Sequence, residues 1–178
     1  MTTGTAFLQS IIKRLLYYKE LADKTFLTLE ENNFHYQYNE ESNSIAIIIQ
    51  HIAGNMISRW TDFLTSDGEK EWRNRDKEFE KKLLTKEEII DLWEKGWHCC
   101  MSSLQSLTEA DLLAIIYIRG EKLIALEAIN RQLAHYPYHV GQIIYIAKMI
   151  KNSKWQSLSI PKNGSEQFND FLKKDNMF

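Results

Sequence analysis

Apolar positions fall three and four apart over most of this chain, the spacing of helices that bury one face. From about Thr5 to Glu30, Phe7, Leu8, Ile11, Leu15, Tyr18, Ala22 and Phe26 mark a first helix, which Asn32 and Asn33 end. Ser42 or Ser44 can cap a second, in which Ile45, Ile49, Ile52, Met56, Trp60 and Phe63 form one stripe. The chain then turns polar from Thr65 to Lys82, too long for a tight bundle turn. Thr85 followed three residues later by Glu88 is a capping box that opens a third helix through Ile89, Trp93, Gly96, Cys100 and Leu107. Between Ala114 and Ile124, β-branched and apolar residues around Arg119, Gly120 and Glu121 predict a short hairpin or an extended crossover. A last long helix runs from about Ile124 to Lys151, and Ser153 onward reads as an extended tail packed by Trp155, Leu158, Ile160 and Phe168. Four long helices predict an all-α four-helix bundle, and 178 residues fit one domain spanning 1–178.

Composition narrows the partners. The 22 basic and 24 acidic residues leave a net charge of -2 with no basic stripe, so nucleic acid is not an expected partner. The longest apolar runs, Ile45 to Ile49 and Ile143 to Ala147, fall far short of the roughly 18 residues of a membrane span. The start, Met1 to Gly4, lacks the basic segment and apolar core of a signal peptide, so the expected place is the cytoplasm, without a membrane. Cys99 and Cys100 are adjacent and cannot staple distant parts of a fold; reduced thiols are expected.

Two histidines carry the chemistry of the last helix. His135 and His139 lie four apart, so their imidazoles project from one face with Cβ atoms about 5–6 Å apart, close enough to share a metal. His51 sits in the second helix beside its apolar stripe, on a face shared with Ile48, Asn55 and Asp62. Inward-facing imidazoles need partners, and a metal or one another would supply them; packing or surface polarity is the plainer alternative. Three nitrogen ligands would leave a coordination position open to water or substrate, the pattern of reactive sites. Imidazole suits zinc, nickel, iron or copper, and nothing in the residues selects among them. Pro137 between the pair deletes the bond to the Leu133 carbonyl and predicts a kink there.

Around these stand further candidates. Asn55, Arg59, Arg131 and Gln142 lie one or two turns from a histidine and can steady the ligands or touch substrate. Arg73 and Arg75 read either as a grip for an anionic substrate group or as a solvated loop. His35 and His98 read as solvated or packing residues, and Gly96, Cys100 and Ser103 as small residues of a packed or pocket-forming face. No residue reads as catalytic in itself.

Three stretches, HIAGNMISRWTDF from His51 to Phe63, DGEK from Asp67 with WRNRD from Trp72, and RQLAHYPYHVGQ from Arg131 to Gln142, resemble a bacterial branch of the DinB-like superfamily over nearly the whole chain. The resemblance implies a four-helix bundle with one metal held by a histidine of the second helix and the HxxxH pair of the last, which fall here on His51, His135 and His139. Members of that superfamily include thiol S-transferases, a thiol-dependent maleylpyruvate isomerase and hydrolase-like proteins. Pro137 inside the pair departs from the pattern.

Two functions follow. One is an enzyme whose open metal position lowers the pKa of a bound thiol, with a low-molecular-weight thiol as cosubstrate and a small molecule as electrophile. A metal-dependent hydrolase would need a general base near bound water, and no Asp or Glu stands beside the pair as in HExxH. The other is a non-catalytic, metal-stabilised homodimer, suggested by Ile143 to Ala147, which are apolar nearly all round their helix.

Overall fold

The computed structural model describes residues 1–175. α1 (Thr3–Phe26) starts where the Thr2 hydroxyl accepts from the Thr5 amide at 3.2 Å. It ends four residues before the expected Glu30. Beyond Phe26 the backbone tightens, Thr28 donating to Thr25 and Leu29 to Phe26. Asn33, expected to end the first helix, accepts instead from the Glu30 amide at 3.0 Å and starts a one-turn helix, α2 (Glu31–Phe34), which drives Phe34 into the core.

Ser44, not Ser42, caps α3 (Ile45–Trp60). Asp62 takes a positive φ of 50° just past its end, so Asp62 does not share a helical face with His51, and Phe63 is buried from the turn rather than from the stripe. The Thr85 and Glu88 box opens α4 (Lys86–Ser106) as expected. β1 (Ile115–Ile118) and β2 (Glu121–Ile124) form an antiparallel hairpin, which excludes the extended crossover. Its two-residue turn has positive φ at Arg119 (56°) and Gly120 (74°), the primed turn whose twist matches paired strands. α5 (Ala125–Lys151) follows directly.

The four long helices close a ring: α3 packs on α4, α4 on α1, α1 on α5 and α5 on α3, and the chain is all-α apart from the hairpin. The α3 to α4 approach depends on a glycine. A Cβ at Gly96 would stand 2.9 Å from the Ala53 Cα, so the small face of α4 serves close packing, and Cys100 is fully buried on it.

After Lys151 the expected extended tail holds a further helix, α6 (Ser165–Asp175). Phe168, Phe171 and Leu172 recur at helical spacing, an apolar edge too sparse to stand out in a polar segment. Trp155 packs against the core, but Ile160 and Phe168 are each 40% exposed and do not anchor the tail. The last three residues of that tail lie outside the described ones. Among the described residues no helix is long and apolar enough to cross a membrane.

Candidate metal centre

α3 is the most enclosed helix of the fold, buried on nearly every side, yet His51, Asn55 and Arg59 follow one another at four-residue intervals along it. A polar stripe on a buried helix must find partners, because each unpaired buried group costs about 1–3 kcal/mol. Each residue of the stripe finds one.

His51 Nδ1 lies 2.9 Å from Glu78 Oε2, both groups nearly buried. Glu78 stands in a 3-10 turn (Asp76–Glu78) of the long polar loop, and Arg73 grips its carboxylate twice, Nε donating at 2.7 Å and Nη2 at 2.8 Å. Burial alone would raise the Glu78 carboxyl, but the bonds from His51 and Arg73 outweigh it and hold it below its usual range. Gly54 leaves the room this requires: a Cβ there would come within 2.8 Å of Glu78 Cδ.

Arg59 donates to the Gly68 carbonyl and, at 2.9 Å, to Glu69. Glu69 also accepts from Arg73 at 3.2 Å and Arg119 at 3.3 Å, tying the loop to α3 and to the hairpin. Asp67 completes the fastening by accepting from the Arg119 and Gly120 amides at 2.8 and 2.7 Å. Asn55 accepts from the Tyr136 hydroxyl at 3.1 Å, and that hydroxyl accepts from Trp60 at 2.9 Å.

α5 supplies the other two imidazoles. Pro137 does not end the helix, and the pair still meets: His135 Nε2 and His139 Nε2 are 3.0 Å apart. His139 Nδ1 lies 2.8 Å from Gln142 Oε1. One ligand atom from each of His51, His135 and His139 lies within 4.8 Å of the others. With its Nδ1 on Glu78, His51 has Nε2 left for the cluster. Nitrogens bonded at about 2.0–2.1 Å to a tetrahedral cation stand roughly 3.3 Å apart, inside the observed span, so the three histidines could hold one metal ion.

His135 and His139 are held neutral. Burial first, then repulsion from His139 and His51, pushes His135 down to about 3, and burial also lowers His139, although Gln142 opposes it. An unfolded imidazole titrates near 6.5. Below that pH the unfolded chain takes up protons that the folded chain refuses, so the stability contributed by neutral histidines is full above about 6.5 and is lost as pH falls toward 3. The metal-free protein should therefore melt at steadily lower temperature from about pH 7 to about pH 4. A constant melting temperature over that interval would contradict a buried neutral cluster.

Residues 2–164 match the family described as "Protein of unknown function (DUF1572)". The chain belongs to that family. No curated protein matches it in sequence. In this DUF1572 chain the match takes in all three histidines, Glu78 and the hairpin, and stops short of α6.

One space adjoins the DUF1572 histidines, and a second lies beyond Gln142. A cavity of about 210 Å³ is lined by His51, His135, Asn55 and Gln132 together with Arg59, Arg73, Arg75, Arg119 and Arg131. A wider groove of about 620 Å³ runs past Gln142, between Tyr145 and Met149 of α5 and Tyr36 and Tyr38. This groove accounts for part of the apolar surface of α5. Of Ile143 to Ala147, the first and last are buried, Ile144 and Ile146 pack against the core, and Tyr145 lines the groove.

Several expected roles change. Arg73 is neither a solvated loop residue nor free for substrate; its side chain is 2% exposed and committed to Glu69 and Glu78. Arg75 is exposed, with its guanidinium 4.9 Å from the Phe79 ring centre. Arg131 supports no histidine but stands 3.6 Å from Glu121 at the cavity mouth. His35 bonds the Leu84 carbonyl at 2.8 Å, and His98 is exposed. Glu69 and Glu78 are the residues missed. Their one signal is indirect: His51 and Arg59 on a buried helix need carboxylates, and the polar loop that follows the helix carries several.

Proposed function

We propose that this chain is a metal-dependent enzyme of the DinB-like superfamily, with His51, His135 and His139 holding one zinc or nickel ion, which joins a low-molecular-weight thiol to a small electrophile. The observation that carries this reading is the convergence of three imidazoles whose one carboxylate neighbour is already fully engaged. A divalent cation held there supplies Lewis acidity, lowering the pKa of a thiol or water in its open position by several units.

The chain's own residues do the rest. Glu78 and Gln142 accept from the Nδ1 atoms of His51 and His139, which fixes the tautomers and aims both Nε2 lone pairs at one point. Arg73 keeps Glu78 ionised and immobile. A carboxylate so held is a poor general base, and hydrolysis would need a free one beside bound water. Thiol chemistry needs no such base, because the nucleophile loses its proton before it attacks.

The test is turnover of a thiol with a model electrophile by wild-type chain and by His135→Ala. Removing one of three ligands should abolish stoichiometric metal and lower the rate by at least about 100-fold. Equal rates would end the enzyme reading. Chelation should lower the melting temperature without abolishing the fold, since a chain of 178 residues has a core of its own; loss of all helical circular dichroism in chelator at room temperature would make the ion structural instead.

A further inference from the structure

We propose that the arginine-lined cavity beside His51 and His135 binds a small oxyanion, a carboxylate or phosphate group carried by the substrate. Naming that anion as substrate rests on the reading of the histidines above; the binding itself does not.

Charge is the first argument. Five guanidinium groups line a space of about 210 Å³. Glu69 and Glu78 touch Arg59, Arg73 and Arg119, and Glu121 stands 3.6 Å from Arg131, so three carboxylates face five arginines. The five arginines outnumber the carboxylates paired with them, and their placement around one concave space focuses their pull on an anion. Burial holds the Arg59 guanidinium below its ordinary value, and neighbouring Arg73 pushes the same way while Glu69 opposes both.

Unspent donors are the second. Arg59 is 5% exposed, yet its buried Nε has no acceptor among the described residues. Arg75 makes no ion pair among the described residues. Its guanidinium lies over Phe79, whose ring is itself 4.8 Å from His51, so its N–H groups stand one ring away from the metal centre. Guanidinium forks match carboxylate and phosphate oxygens in pairs, which a single surface lysine cannot do. The volume suits a small group, being below the roughly 300 Å³ at which pockets for larger ligands begin. Nucleic acid is not the occupant this geometry favours, because the arginines enclose a pocket rather than follow a line of phosphates.

The experiment is calorimetric titration of the full chain, metal-loaded and chelator-treated, with inorganic phosphate, malonate and uncharged malonamide, metal content being measured on the same samples. One saturable site for phosphate or malonate, absent for malonamide, is expected in both forms. Preference between the two anions then identifies the group. Arg75→Ala and Arg131→Ala remove exposed arginines without cutting the loop's ion pairs, and each should weaken the anion about tenfold. Arg14→Ala, an exposed arginine of α1, should leave it unchanged. Absence of a saturable site, or binding that needs metal and ignores both cavity variants, overturns the inference. A chain that binds the anion but holds no metal would sink the metal reading and leave this one standing; metal without anion would do the reverse.

Discussion

Glu78→Ala is expected to lower metal affinity by about 10–100-fold and to destabilise the metal-free fold by about 3–5 kcal/mol, because one carboxylate serves two buried partners. His51 loses the acceptor that fixes its ring, and Arg73, 2% exposed, loses the carboxylate that neutralises it. A buried guanidinium left with only Glu69, which Arg59 and Arg119 already share, is the costlier consequence, since it cannot shed its proton. Glu78→Gln separates the two effects. The amide can still accept from His51 but carries no charge for Arg73, so stability should fall nearly as far while metal affinity falls less. Urea unfolding of the metal-free variants and competition against a chromophoric chelator measure the two quantities. A Glu78→Ala chain that binds metal as tightly as wild type would show that Glu78 only fastens the loop.

That residue was not legible in the sequence, and the reason is physical. The long helices are readable because each buries one stripe, and the stripe repeats with the helical period from Phe7 to Phe26, Ile45 to Trp60 and Ile89 to Leu104. The HxxxH pair is readable for the same reason, being a local spacing on one helix, and it survives Pro137. His51 shows itself as a polar residue on a helix too apolar to have a wet face. The loop from Thr61 to Thr85 has no period to read. Its acidic and basic residues alternate like those of a solvated linker, and only the fold reveals that Glu69 and Glu78 answer charges on α3. Arg73 misleads most, since a buried guanidinium and an exposed one look alike in sequence. Gly54 likewise gives no sign of its purpose, because what it makes room for arrives from 24 positions away.

Gly54 and Gly96 together allow the strongest separation of site from scaffold. Both are helical glycines, so alanine gains about 1 kcal/mol of helix propensity at each, and both lack room for a methyl group. At Gly96 the obstacle is the Ala53 backbone, 2.9 Å from the new Cβ. Backbone cannot yield unless α3 and α4 separate, so Gly96→Ala should cost a net of about 1–3 kcal/mol and should change metal affinity little. At Gly54 the obstacle is the Glu78 carboxylate, with Cδ 2.8 Å away. A side chain can yield, but only by leaving His51 and Arg73, so Gly54→Ala should lower metal affinity about tenfold or more for a smaller loss of fold stability. The order of the two variants should thus invert between a urea titration and a metal titration. Affinity losses that simply track stability losses would mean that the carboxylate does not position His51. The double variant Gly54→Ala, Glu78→Ala carries the argument one step further. If the methyl group acts through Glu78, it should bind metal no more weakly than Glu78→Ala alone, because the carboxylate it would displace is already gone.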